Sequence, residues 1–398
     1  MMTSSRRAEL IAVYRDGLVK DTLPFWVRHG WDRTHGGMLT GLARDGTLID
    51  DDKSVWFQGR AGWMFATAYR LAEPRPEWLE VAQSCVDFLR RHCAGPGGKL
   101  YFSVTRDGRP LRMRRYVWSE CFAAIAYAAV AKVTGDRELV ERAWQAWDTY
   151  LHHSFTPGVM PPKGEPAARP MKGAAARMIT IVTAQELRDL LGERTVRGAT
   201  CTQWIDWAIG EIERDFMKPE LPAMLEVVAP DGTLSDHFDG RQLNPGHAIE
   251  AAWFILHEAK LRGRDPRLIR VGRTILDWMW ARGWDREHGG VLYNVDVRGG
   301  PVQEYWHFMK FWWPHNEAII ATLLAAELTG DRRYLDWHTQ VHDWAHAHFP
   351  DPAHGEWFGY LDREGRPTST LKGCTWKGPF HLPRMQLYCW KLLEAAQI

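Results

Sequence analysis

The chain is predicted to be all-α: an (α/α)6 barrel of twelve helices, six inner and six outer, with short β-hairpins in the loops. Three observations carry this. Turn-forming segments recur six times, as HGG at Gly36, PGGK at Gly97, TPGVM at Gly158, ELPAM at Pro222, HGG at Gly289 and HGE at Gly355, at spacings of 61, 61, 64, 67 and 66 residues. A period of this length holds two helices and their loops, and self-similarity on that scale marks a repeat architecture. Hydrophobic periodicity is helical throughout, and no alternation of period two persists. The helices are also of two kinds. Those at 6–28, 77–93 and 332–348 are amphipathic, whereas those at 55–71, 118–133, 171–191, 247–261, 316–328 and 382–395 are apolar nearly all round. A helix apolar on every side is buried, so the second set lines the inside.

The even repeat argues for one domain over residues 1–398, because no linker, low-complexity run or charge block divides the chain. Hairpins are expected near Tyr101, Val291 and Phe358, beside turns such as Arg44-Asp45-Gly46, Arg106-Asp107-Gly108 and Arg363-Glu364-Gly365. A formal charge of +1 gives no electrostatic case for nucleic acid or an anionic membrane. The first residues lack the apolar core of a signal peptide, and the apolar stretch near Cys121 is too short to span a bilayer. Six scattered cysteines without a CxxC fit reduced thiols in a cytoplasmic protein. The 22 tryptophans suit sugar faces, although large helical cores use them too.

Polar residues of the inner helices cluster at their N-terminal ends: Gln58 and Arg60, Ser119 and Glu120, Lys172, His247 and Glu250, His315 and Glu317, His381 and Arg384. Parallel inner helices put these ends at one mouth, where the helix dipoles favour negative charge. Polar groups converging in an apolar pocket form a candidate site. In NPGHAIEAAW, Asn244 suits a cap, Pro245 suits the first turn, and His247 and Glu250 share a face. GPFHLPRMQLY repeats the design with His381 and Arg384. Two imidazoles in one ring suit proton transfer on both faces of a carbon. Arg60 can bind a developing oxyanion, and Glu317 can hold hydroxyls or pair with an arginine. The run His338, His342, His346, His348 has zinc-like spacing, but on an outer helix without HExxH it is expected to be a solvated face rather than a metal site. No nucleotide-binding loop is present.

These motifs resemble the N-acylglucosamine 2-epimerase family. The resemblance runs through FWVRHGWDRTHGG, DDKSVWFQGR, GRQLNPGHAIEAAWF, RGWDREHGG, KFWWPHNEAI, HGEWFGYLDREGR and FHLPRMQLY, and is least clear over residues 136–240. It implies an (α/α)6 barrel and a cofactor-independent epimerase interconverting N-acetylglucosamine and N-acetylmannosamine. His247 and His381 would be the catalytic pair, with Arg60, Glu250, Glu317 and Arg384 binding substrate. Glu250 would orient His247, and Glu317 would hold hydroxyls. Animal members respond to ATP, so ATP enters as an allosteric effector that no motif of this chain decides. The resemblance also carries a homodimer. Three other readings stand beside it: epimerisation or aldose–ketose isomerisation of a neutral sugar such as mannose or cellobiose, glycoside hydrolysis through two carboxylates, and a protein-binding scaffold.

Overall fold

The computed structural model describes residues 2–114, 116–162 and 164–395. Twelve long helices alternate between two layers. The outer ones are α1 (Ser4–Asp16), α3 (Pro76–His92), α5 (Arg137–Phe155), α7 (Cys201–Glu211), α9 (Pro266–Gly283) and α11 (Arg332–His348). The inner ones are α2 (Val55–Leu71), α4 (Trp118–Thr134), α6 (Ala175–Leu191), α8 (Pro245–Leu261), α10 (Trp312–Thr329) and α12 (His381–Ala395). Each inner helix packs against the next, and α12 returns to α2, which closes the ring. Outer α3, α5, α7, α9 and α11 pack on the inner helix that precedes them, and α1 packs on α12. The expected barrel is therefore present.

Sequence explains the two layers. Nearly every residue of α2 from Val55 to Ala68 is buried, and so are those of α10 from Trp312 to Ala326. The outer α3 buries only one stripe, which includes Trp78, Val81, Cys85 and Leu89. The run expected at 6–28 continues past α1 as π-helical turns at Gly17–Thr22 and Trp26–Gly30. Pro24, which has no N–H, lies between them and breaks the regular ladder. The inner helix expected from residue 171 starts at Ala175, because Lys172–Gly173 forms a strand instead.

The loops at the N-terminal ends of the inner helices are laced together around the mouth. Residues leading into an inner helix pair antiparallel with a strand of the next unit: Lys53–Ser54 with Ser103–Val104, Lys172–Gly173 with Val227–Val228, Gln242–Leu243 with Val295–Asp296, and Lys310–Phe311 with Tyr360–Leu361. A bridge from Gly373 to Leu42 carries the lacing from the last unit to the first. Hairpins form near Tyr101 and Phe358 as expected. Near Val291 the strand instead reaches back to Gln242–Leu243.

Three buried aspartates fasten this lacing. Asp32 meets Lys53 at 2.9 Å and Arg106 at 2.8 Å. Asp285 meets Lys310 and Arg363, each at 2.9 Å. Asp351 meets Lys372 at 3.0 Å and Arg44 at 2.8 Å. In each latch the lysine comes from the aspartate's own unit and the arginine from the turn of the next. Those turns need glycine: Gly46, Gly108 and Gly365 have φ of 87–93°, and their Cα atoms rest on His29, His92 and His348, where a Cβ would collide. Burial opposes the charge on Asp285, but its cationic partners outweigh it and hold the carboxyl well below the usual range. Asp285→Ala strands the Lys310 ammonium and is expected to lower stability by about 3–5 kcal/mol, as read by urea unfolding.

The histidine run of α11 is not a solvated face. Helix α1 covers it: the Tyr14 hydroxyl lies 3.2 Å from His338 Nε2 and 2.8 Å from His342 Nδ1, and the His346 ring lies tilted against that of His342 with centroids 3.9 Å apart. His338 and His342 are buried, whereas His346 and His348 are partly exposed. Burial lowers His338 and His346 to about 4, and lowers His342 as well. The folded protein thus holds these rings neutral, while the unfolded chain takes up protons below about 6.5. Stability is full above that pH and falls toward about 4, by roughly 1.4 kcal/mol per unit for each ring. Urea midpoints across this interval check the slope.

Candidate active site

The inner ring encloses a cavity of about 1090 Å³, lined from Trp56 and Trp118 near the starts of the inner helices to Leu71 and Leu261 at their far ends. Arg60, Glu250 and Glu317 are each the sixth residue of their helices, α2, α8 and α10; Arg60 and Glu250 line the cavity, and Glu317 is buried against Trp253 of α8 and His381 and Arg384 of α12. His247 and His381 stand above them at the starts of α8 and α12. Helix α8 begins as its sequence suggests: the Asn244 carboxamide accepts the His247 N–H at 3.0 Å, and Pro245 occupies the first turn. A Cβ at Gly246 would lie 2.8 Å from the Trp313 ring. Glycine there lets Trp313 reach both imidazoles, with ring centroids 5.0 Å from His247 and 5.8 Å from His381.

The Arg384 guanidinium organises the floor. Its Nη2 donates to Glu250 at 2.6 Å and to Glu317 at 2.7 Å. Glu317 also bonds His381 Nδ1 at 2.7 Å and accepts from Trp253 Nε1 at 2.7 Å. Burial disfavours charge on Arg384, but the two carboxylates outweigh it and raise its pKa. Burial first, then the charges of Arg384 and Arg60, hold His381 well below its ordinary value. That imidazole is neutral.

His247 is shifted the other way. Its Nδ1 lies 3.0 Å from Glu226 Oε1. Burial pulls its pKa down, but the carboxylate of Glu226 outweighs burial and leaves it raised. The expected partner Glu250 does not fill this role, since it is turned to Arg384. Likewise Glu317 is committed to His381, Arg384 and Trp253 rather than to hydroxyls alone. Glu226 escaped the sequence reading because it lies in an irregular segment with no helical periodicity, just before the strand Val227–Val228.

Arg60 differs from Arg384. Phe122, Phe380 and Trp56 surround its guanidinium at 4.3, 4.9 and 5.2 Å. Among the described residues its only hydrogen bond is to the Trp376 carbonyl at 3.5 Å, and its Nε is buried without one. Burial lowers its pKa to about 9. It is a desolvated cation with donors to spare, suited to an oxyanion.

Five of the polar residues expected at the mouth serve the scaffold instead. Gln58 is bonded to the Met38 backbone on both its N–H and C=O sides. Glu120 accepts the Leu100 N–H, and Ser119 donates to the Tyr101 carbonyl. His315 links the Phe311 carbonyl to the Val291 N–H. Lys172 pairs with Asp215 at 2.7 Å.

Ligand atoms of Glu250, Glu317 and His381 lie within 4.8 Å of one another, close enough to hold a metal ion. The Arg384 guanidinium already supplies the cation among them. Arg384→Met leaves two buried carboxylates facing each other without it. It is expected to cost about 3–5 kcal/mol in urea unfolding and to raise the His381 pKa in an NMR titration. Arg60→Met, which breaks no ion pair, is expected to leave stability nearly unchanged.

The chain matches the N-acylglucosamine 2-epimerase (GlcNAc 2-epimerase) family over residues 36–381. It is 37% identical to an N-acylglucosamine 2-epimerase of Bos taurus, over 98% of this chain and 93% of that protein. It is 25% identical to a cellobiose 2-epimerase of Bacteroides fragilis, over 91% and 94% of the two chains. The solved cellobiose 2-epimerase of Bacillus thermoamylovorans shares the fold with a TM-score of 0.82 at 20% identity, over 96% and 99% of the two chains. With its barrel, its motifs and this extent of identity, the chain belongs to the N-acylglucosamine 2-epimerase family.

Proposed function

We propose that the protein interconverts N-acetyl-D-glucosamine and N-acetyl-D-mannosamine by moving the proton at C2. One observation carries this: two imidazoles line one cavity, each held at Nδ1 by its own carboxylate, and their surroundings shift their basicities in opposite directions. In the open-chain sugar the C1 carbonyl acidifies the C2 proton. His381, neutral, takes that proton at Nε2, and the C–H electron pair moves into an enolate ending on O1. Arg60 stabilises the charge on O1, with Arg384 beneath it. His247, charged, gives a proton from Nε2 to the opposite face of C2, and the carbonyl re-forms. The enzyme ends with His381 charged and His247 neutral, the arrangement the reverse reaction needs.

The reading requires no cofactor, because the substrate carbonyl itself holds the electron pair. Glycoside hydrolysis fits less well. It needs an acid and a separate carboxylate flanking the bond, and here Glu250 and Glu317 share one guanidinium. The six thiols, all free, suit the cytoplasm. No helix among the described residues is long and apolar enough to cross a membrane.

Incubation in D₂O with N-acetylmannosamine, mannose or cellobiose, with and without ATP, tests the assignment by NMR. Deuterium at C2 of N-acetylmannosamine with N-acetylglucosamine formed is the expected outcome. Exchange only with a neutral sugar moves the protein to the branch of its cellobiose-epimerising relatives, and no exchange overturns the reading. His381→Ala and His247→Ala are each expected to lower turnover by about 10²–10⁴-fold with the fold retained by circular dichroism.

A further inference from the structure

Both imidazoles have a glutamate on Nδ1, yet the two glutamates act differently. Glu317 shares its charge with Arg384, which lies 2.7 Å from the same oxygen that meets His381. Glu226 has no such neutralising partner. Among the described residues its one ion pair is with His247. Its backbone is fixed on both sides: the Leu225 N–H donates to the Phe216 carbonyl, the Glu226 carbonyl accepts from the Ala174 N–H at the start of α6, and Val227 joins the strand with Gly173. The carboxylate is thus held at the Nδ1 edge of the His247 ring, and Trp313 packs against that ring with centroids 5.0 Å apart.

We propose that Glu226 is the positioning residue that makes His247 the proton donor: it fixes the ring through Nδ1, leaves Nε2 to the substrate, and supplies the negative charge that keeps the ring protonated. The inference rests on the two-imidazole reading of the function. Other groups facing His247 do not replace it. Glu250, on the same helix, is tied to Arg384. Tyr293, which also faces Glu226, has its hydroxyl pKa raised to about 12 by burial and by that carboxylate, and so carries no charge. His381, across the cavity, is neutral.

The consequence is directional. Without the Glu226 charge, His381 still removes a proton from one epimer, but His247 returns none to the other face. The proton held on His381 exchanges with water, and the enolate then collapses by taking a solvent-derived proton back from His381 on the same face, so the C2 proton is lost to solvent without epimerisation. From the other epimer His247 is the base, and exchange and epimerisation depend on it together.

Glu226→Gln keeps the size and the acceptor while removing the charge. The experiment measures C2-deuterium incorporation and epimer formation in D₂O from each epimer separately, with the wild-type protein alongside. The expected result is an exchange-to-epimerisation ratio raised at least about tenfold from one epimer and unchanged from the other, with epimer formation down about 10²-fold. Glu226→Asp, which restores the charge, should recover part of the loss. A ratio unchanged from both epimers, or wild-type turnover in Glu226→Gln, overturns the inference and leaves the epimerase reading standing. No exchange by the wild-type protein overturns both. A separate readout needs no turnover: in NMR titrations of the folded wild-type protein, His247 should titrate above and His381 below the ordinary imidazole value. The reverse order sinks the proposal even if the glutamine variant does not fold.

Discussion

A buried aspartate at a tight turn is the constraint around which the mouth of the barrel is arranged. A carboxylate with almost no access to water must be paired. Asp32, Asp285 and Asp351 each solve this with a lysine from their own unit and an arginine from the next. Pairing a local cation with a distant one turns a local need for charge balance into a tie between units. The short strands follow the same course, and the Arg44–Asp351 tie joins the first unit to the last. The loops that hold the starts of α2, α10 and α12 are fixed in this way, and Arg60, Glu317 and His381 stand on those helices.

Within the ring, one guanidinium does for the floor what the lysines and arginines do for the rim. Arg384 balances Glu250 and Glu317 together, so the imidazole resting on Glu317 feels little net negative charge. Glu226 has no such cation among the described residues, and its carboxylate raises the pKa of its imidazole. Two similar Nδ1–carboxylate contacts therefore shift their imidazoles in opposite directions, a division set by second neighbours rather than by the contacts themselves.

The helical layers are legible because whole turns are apolar, and the six candidate residues because charged groups stand out on such helices. The sequence reading went wrong where it treated nearness along the chain as nearness in space. Gln58 and Arg60 are two residues apart, as are His315 and Glu317, and two residues turn a helix through about 200°. One member of each pair therefore faces the axis while the other faces the turn that precedes its helix. The outer face of α11 differs from expectation for a related reason: its histidines look polar, but Tyr14 of α1 gives His338 and His342 buried partners. Glu226 could not be found by periodicity, since an irregular segment brings it to a ring 21 residues away.

Trp313 touches both imidazoles, and among the described residues no hydrogen bond joins His247 to His381. The two rings thus have no direct path for passing a proton between them. Under the two-imidazole reading, each turnover leaves the free enzyme as the other of two protonation isomers, and the return runs through solvent. Such an enzyme has a memory of the last direction it worked. At high substrate the reset between isomers, rather than the chemistry at C2, can set the pace, and a surplus of one epimer traps the form that consumes the other.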